Sequence, residues 1–235
     1  MSKNIFIFVK NKFMFSQAEE NYLKAIYALE SELAQVISTN LIAKKMQTKA
    51  SSVTDMLKKL AEKELVDYKK YQGVQLSEEG KRIATSIVRK HRLWECFLVD
   101  KLNFSWDEVH DIAEQLEHIQ SETLVDNLDA FLEFPSYDPH GDPIPDKNGY
   151  MYKRKKVALS SLNPQDETVL LGVKDSSDAF LKYLNKKNIA IGNTIKVQSI
   201  ELFDKSMEIS INNQLISITE QVAKNLLVKE IEYKY

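Results

Sequence analysis

A chain of 235 residues, 43% hydrophobic and 28% charged with six glycines and five prolines, can bury a core and divide into two or three small domains. No stretch approaches the roughly 18 apolar residues that cross a bilayer, and "IFIFV" near the start is shorter than the apolar centre of a secretory signal, so the reading is a cytoplasmic protein with no membrane partner. The single cysteine, Cys96, excludes an internal disulfide framework and any Cys-x-x-Cys knuckle, while a net charge of −2 decides nothing about nucleic acid until its distribution is read.

Residues 1–15 read as a loose arm without assigned function. "SQAEENYLKAIYALE" then opens with Ser16 and Glu19 in capping-box spacing and carries Tyr22, Leu23, Ile26, Tyr27 and Leu29 on a helical stripe. "ISTNLIAKKMQ" predicts a short helix after Ser38 and a turn near Thr48 and Lys49. "SSVTDMLKKLAEKELV" predicts a second helix with Val53, Leu57, Leu60 and Leu65 inward. The two β-prone runs of "LVDYKKYQGVQLS", joined at Tyr71-Gln72-Gly73, predict a hairpin. Residues 16–77 therefore predict a winged helix-turn-helix.

Ser77 caps a long helix to about Lys101, the Ser105–Glu108 capping box predicts the start of the next, and Ser121 starts a third; residues 78–150 form a helical domain. Trp94, Phe97, Ile119 and Leu128 offer more apolar surface than three helices cover, which predicts a homodimer seam. "FPSYDPHGDPIPDKNGY" holds four of the five prolines and reads as an ordered loop or linker. Over residues 151–235, "TVLLGVK", "TIKVQSIE", "SMEISI" and "QLISIT" alternate as short strands, with Asn212-Asn213 turning a hairpin and "SDAFLKYLNKK" a helix, which predicts a small β-barrel.

Two charge blocks separate along the chain. Lys44 to Arg92 holds thirteen Lys/Arg against six Asp/Glu, and Asp107 to Asp146 holds twelve Asp/Glu with no Lys or Arg, so one block suits phosphate and the other cations. For a helix entering the major groove, Lys49, Ser51, Ser52, Thr54 and Asp55 supply short polar side chains with a flanking cation, and Lys44, Lys45, Lys58, Lys59, Lys69 and Lys70 can follow the phosphates. Taken singly, Ser51 and Ser52 read more readily as helix caps and the lysines as a solvated face. The wing and the charge block together favour DNA.

His110, Glu114, Glu117 and His118 are spaced +4, +7 and +8, which puts them on one side of a helix at 100° per residue. His91 and Glu95 are an i,i+4 pair on the preceding helix, and the helix from Ser16 can bring Asn21 near. Single His-Glu pairs of this kind are usually surface hydrogen bonds, but three of the four histidines fall in these sets, which predicts one or two bound metals. Carboxylate, amide and imidazole donors without thiolate favour Mn(II) or Fe(II) over a thiolate-rich zinc site. Cys96 reads as a buried apolar residue and His140 as a residue that orders its loop.

"EENYLKAIYALE", "SSVTDMLKKLAEKELVDYKKYQGVQLSEEGKRIA", "RKHRLWECFL", "VHDIAEQLEH" and "DPHGDPIP", in this order and spacing, resemble the diphtheria-toxin-repressor and manganese-transport-regulator family of bacterial metal-dependent repressors. The resemblance runs from about Met14 to Asp146, and the β-barrel resembles that family's optional FeoA-like (SH3-like) third domain. It implies a primary metal site from Asn21, Glu114, Glu117 and His118 and an ancillary site from His91, Glu95 and His110, with a barrel acid, Asp175 or Asp178, completing the latter. Glu114 stands where iron-responsive members carry cysteine, as in the manganese-responsive branch. Asn21 matches neither that branch's aspartate nor the iron members' methionine, and Lys24 replaces a carboxylate that supports a two-manganese pair.

The expected architecture is mainly α with a β part: an N-terminal winged helix-turn-helix, a helical metal-binding dimerisation domain and a C-terminal FeoA-like β-barrel. The expected function is non-enzymatic: a homodimeric repressor of metal-uptake genes that binds a double-stranded operator when it holds Mn(II), with Fe(II) as the alternative effector. Two rival readings remain at this stage. A helical metalloenzyme explains the His/Glu set but not the basic winged segment, and a winged-helix sensor of an organic ligand makes that set a structural network.

Overall fold

The computed structural model describes residues 15–33, 36–70 and 72–231. The expected arm lies outside the described residues up to residue 14, as does Tyr71 in the expected wing turn. The chain forms two compact units, residues 1–85 and 86–235, and no helix among the described residues is long and apolar enough to cross a membrane.

In the first unit, α1 (Gln17–Glu32) opens on a complete capping box: Glu19 N–H donates to Ser16 Oγ at 3.3 Å and Ser16 N–H donates to Glu19 Oε2 at 2.9 Å. Its stripe buries Tyr22, Leu23, Ala25, Ile26 and Leu29. Glu19 is itself buried and takes the ammonium groups of Lys63 at 2.6 Å and Lys59 at 3.3 Å, both from the far end of α3. Burial alone would raise its pKa; the Lys63 bond, the Ser16 N–H and Lys59 outweigh it and hold the carboxyl at about 2.

α2 (Thr39–Lys45) is capped by Ser38, and α3 (Ala50–Glu62) buries Val53, Leu57 and Leu60 at helical spacing. The tight turn between them uses a left-handed residue, Gln47. The wing is an antiparallel pair, β1 (Val66–Lys69) and β2 (Gly73–Leu76), joined by a bridge from Ile37 to Val74. Gly73 has φ +103°, and a Cβ there would lie 2.7 Å from the Ile37 carbonyl oxygen, so no other residue fits this close approach. Leu76 N–H donates to Glu30 Oε1 at 2.8 Å, which ties the hairpin to α1.

The helix α4 (Glu78–Leu102) begins in the first unit and supplies most of its length to the second. There α5 (His110–Leu116) and α6 (Glu122–Phe131) join it around Leu93, Trp94, Cys96, Ala113, Val125 and Leu128. Two expectations need correction. Ser105 N–H does donate to Glu108, at 3.2 Å, but that box closes a turn, and the helix starts only at His110. Trp94 and Leu128 are buried within the chain, with Phe97 and Ile119 packed on them, so the apolar surface left open is instead Leu102, Phe104, Leu124, Phe131 and Phe134. Arg89 fastens α4 to α6 through Asp129 at 2.7 Å and Asp126 at 3.4 Å.

The C-terminal part is an antiparallel sheet in the order β3-β8-β4-β5-β6-β7. It comprises β3 (Lys156–Ala158), β4 (Glu167–Val173), β5 (Thr194–Ile200), β6 (Met207–Ile211), β7 (Gln214–Ile218) and β8 (Leu226–Lys229), with helices α7 (Asp178–Lys186) and α8 (Glu220–Asn225). β4 changes partner midway, from β5 to β8, across a register irregularity after Leu170. Asn212 and Asn213 both have positive φ, as the two-residue turn between β6 and β7 requires. Leu159, Leu170, Leu184, Ile195, Ile209 and Val228 centre its core.

The Glu19 cluster gives the first unit an acid-labile bond. Its folded pKa of about 2 lies below the ordinary 4.5, so its contribution is fully present above about pH 4.5 and is lost as pH falls toward 2. Glu19→Gln is expected to lower unfolding free energy by about 2 kcal/mol at pH 7. In urea unfolding followed by circular dichroism, that difference should shrink as pH drops below 4.5.

Candidate metal centre

The second unit gathers its titratable side chains on α4, on α5 and on the loop that follows α6. His91 and Glu95 lie one turn apart on α4, and His91 sits between two carboxylates, with Nε2 3.0 Å from Glu95 Oε1 and Nδ1 2.6 Å from Glu117 Oε2. Glu117 is the C-cap of α5; its φ of −62° and ψ of −19° continue the helix by one residue, so it keeps the angular relation to His110 and Glu114 that the +4 and +7 spacing predicts. Glu117 is fully buried and Glu95 is 2% exposed. Carboxylates this deep require counter-charge or metal.

Glu95 is the hub. Besides His91 it faces His110 Nδ1 at 3.6 Å and, through its other oxygen, His140 Nδ1 at 3.6 Å. Burial would raise its pKa, but contacts with His110, His140 and His91 outweigh it and hold the carboxyl well below the usual carboxylate range. His140 shows the reverse balance: burial would lower its pKa, and the bond to Glu95 with the charges of Glu95 and Asp138 lifts it to about 9. Burial and the nearby Glu95 charge push Asp138 up to about 6, against the pull of Arg92, whose Nε is 3.3 Å away.

His110 is more exposed and lies edge-on to His91, ring centres 5.0 Å apart, with Nε2 3.7 Å from Glu114 Oε1. His118 Nε2 is 4.0 Å from Glu117 Oε1. Among the described residues three donor groups have ligand atoms within 4.8 Å of one another: His91 with Glu95 and His110, His91 with Glu114 and Glu117, and Glu95 with Asp138 and His140. Three donors spread evenly at about 2.1 Å from one ion lie about 3.6 Å apart, so each group would have to draw its ligand atoms together to hold a divalent cation. The donors fit such an ion, and none is a thiolate: Cys96 is buried, its thiol pushed up by that burial and its Sγ directed at the Tyr137 carbonyl oxygen.

Five of the seven expected metal residues, His91, Glu95, His110, Glu114 and Glu117, thus fall in these groups in the second unit, and His118 lies beside Glu117 without joining one. The seventh, Asn21, lies on α1 in the first unit, where its amide oxygen is buried without a hydrogen-bond partner among the described residues. His91 contacts residues of both the expected primary and ancillary sets. Asp138 and His140 join Glu95, which sequence reasoning missed. The local signal was "DPHGDP", two acids and an imidazole held by flanking prolines, but periodicity carries no information on which helix such a loop meets. Asp175 and Asp178 join none of these groups; Asp175 accepts from Ser177 N–H at 2.9 Å, and Asp178 pairs with Lys182 at 2.7 Å.

In the first unit Lys49 is the N-cap of α3 and makes no side-chain cap bond, so neither Ser51 nor Ser52 serves as the cap; both are exposed in the first turn. Thr54 Oγ donates to the Ala50 carbonyl at 2.9 Å, Asp55 and Lys58 pair at 3.4 Å, and Lys69 is exposed at the end of β1.

Residues 14–74 match the family described as the iron-dependent repressor N-terminal DNA-binding domain, residues 77–146 match the iron-dependent repressor metal-binding and dimerisation domain, and residues 157–230 match the FeoA domain. The diphtheria toxin repressor of Corynebacterium jeikeium is 32% identical over 126 residues, 54% of this chain and 52% of that one, so the match spans about half the length of that relative. A helix-turn-helix-type regulator of Methanocaldococcus jannaschii is 36% identical over 118 residues, 50% of this chain and 94% of that protein. A solved manganese-dependent transcriptional repressor in complex with manganese is 32% identical with TM-score 0.80, covering 91% of this chain and 100% of its own. The manganese regulator SloR is 34% identical with TM-score 0.69, covering 91% and 98%. With its motifs, its fold and these likenesses in agreement, the chain belongs to the diphtheria-toxin-repressor and manganese-transport-regulator family of metal-dependent repressors.

Proposed function

We propose that this protein is a homodimeric, metal-dependent repressor of metal-uptake genes, with Mn(II) as its favoured effector and Fe(II) as the alternative. The observation that carries the reading is the buried convergence of His91, Glu95, Glu117 and their neighbours in a chain that also exposes the polar start of α3. Glu114, Glu117 and His118, with Asn21 as the expected amide donor, form the proposed primary set. His91, Glu95 and His110, extended by Asp138 and His140, form the ancillary one. A bound ion would supply positive charge to these buried carboxylates. An all nitrogen and oxygen donor set favours Mn(II) or Fe(II) through geometry and supply rather than raw affinity. The relatives described as manganese-dependent support the choice of Mn(II).

Control of DNA follows from population. A symmetric dimer must present two reading heads to half-sites at a fixed spacing, so any agent that raises the fraction of competent dimers raises apparent affinity in proportion. About 1.4 kcal/mol of differential binding changes that fraction ratio tenfold. In each head Ser51, Ser52, Thr54 and Asp55 are the proposed base-edge readers, and Lys49, Lys58 and Lys69 the proposed phosphate contacts. The exposed Leu124, Phe131 and Phe134 provide the proposed dimer surface.

Three outcomes test this. Glu117→Ala and His118→Ala should yield folded dimers whose operator affinity, measured by fluorescence anisotropy at fixed salt, no longer rises with Mn(II); a retained response would sink the assignment. Lys49→Ala, Lys58→Ala and Lys69→Ala should each reduce the slope of log affinity against log salt by about 0.9, with little change in sequence preference. Phe131→Glu should shift the sedimentation profile toward monomer, because it places a charge in surface that association would bury.

A further inference from the structure

We propose that Asn185, at the end of α7 in the FeoA domain, is a positioning residue for His140, so that this domain shapes the metal centre through the orientation of that imidazole. The inference rests on the reading of Glu95, Asp138 and His140 as a donor set.

The connection runs through three consecutive residues between α4 and α5. Asn185 Oδ1 accepts from Trp106 Nε1 at 2.7 Å, and its Nδ2 donates to Asp107 Oδ1 at 2.9 Å and to Ser105 Oγ at 3.4 Å. Ser105 Oγ also pairs with Asp107 Oδ1. One amide thus holds the whole turn, and the Trp106 indole packs on the hydrophobic core of the FeoA domain. On its other side the same tryptophan faces His140: the Trp106 carbonyl oxygen is 2.8 Å from His140 Nε2, and the two rings stack with centres 6.0 Å apart and planes at 16°. A carbonyl only accepts, so Nε2 carries the hydrogen, and Nδ1 is the nitrogen presented to Glu95. Fixing one imidazole nitrogen by a hydrogen bond so that the other faces an ion is how outer partners orient a metal-binding histidine.

The His140 loop is held to the same domain. Val173 N–H of β4 donates to the His140 carbonyl at 3.1 Å. Gly141 has φ +84°, and a Cβ there would lie 2.0 Å from the Leu171 carbonyl oxygen, so the loop lies flat on β4. Asp138 Oδ1 closes it by accepting from the N–H groups of His140 and Asp142, both at 2.9 Å. Ring plane, ring nitrogen and loop path are therefore all referenced to the FeoA domain.

The test counts free Mn(II) by electron paramagnetic resonance during titration of the full chain, at fixed pH and salt, for wild type, Asn185→Ala, Trp106→Phe, His140→Ala and the Asn185→Ala/His140→Ala double variant. Losing the indole bond to Asn185, an ordinary exposed hydrogen bond, should weaken one binding step about fivefold and leave the other unchanged. Trp106→Phe, which keeps the carbonyl and the ring but loses Nε1–H, should weaken the same step. In the His140→Ala background Asn185→Ala should have no further effect, as coupled residues require and a general loosening of the fold would not produce. An unchanged Asn185→Ala isotherm, or an equal loss with and without His140, overturns the positioning role while leaving the donor set intact. Wild-type binding by His140→Ala overturns the donor set and this inference with it.

Discussion

The second unit depends on burying two carboxylates with one imidazole between them. Glu95 and Glu117 come from different helices, are almost wholly removed from water, and share His91 at 3.0 and 2.6 Å. Burying either carboxylate without a partner would cost far more than the packing of these helices returns. The pair of helices is therefore organised around a cationic or metallic bridge, and His110 and His140 extend the same arrangement outward from Glu95.

The first unit solves a similar problem with different chemistry. Glu19 is as deeply buried as Glu95, yet its partners are the ammonium groups of Lys59 and Lys63. That fastens α1 to α3. Imidazoles can release a proton and accept a divalent cation instead. Lysines where the fold must hold, and histidines where it is proposed to respond, divide structure from regulation at the level of side-chain chemistry.

Much of this was legible in the chain because it is local. The Ser16–Glu19 box, the apolar stripe of α3 and the Asn212-Asn213 turn each follow from residues within one or two helical turns, and each forms as its spacing predicts. The pairing of His91 with Glu95 on α4, and of His110, Glu114 and Glu117 on α5, was legible for the same reason, since helical angles fix who shares a face. What failed to show was what depends on distant packing. The Ser105–Glu108 box makes its hydrogen bond yet opens no helix, because Asn185 holds this segment as a turn. Trp94, Phe97, Ile119 and Leu128 read as surplus apolar surface until they fold against one another. Asp138 and His140 reach Glu95 only because the loop beyond α6 folds back over α4.

α5 is just seven residues long, beginning at His110 and capped by Glu117. Removing or inserting one residue anywhere inside it would turn every later donor by about 100° and carry the buried acid away from His91. The largely exposed run from Lys147 to Lys155 bears no such phase requirement. Length variation among related chains is thus expected to accumulate in that connector and to be purged from the helix, so gaps alone, without residue identities, would mark where the ion is meant to sit.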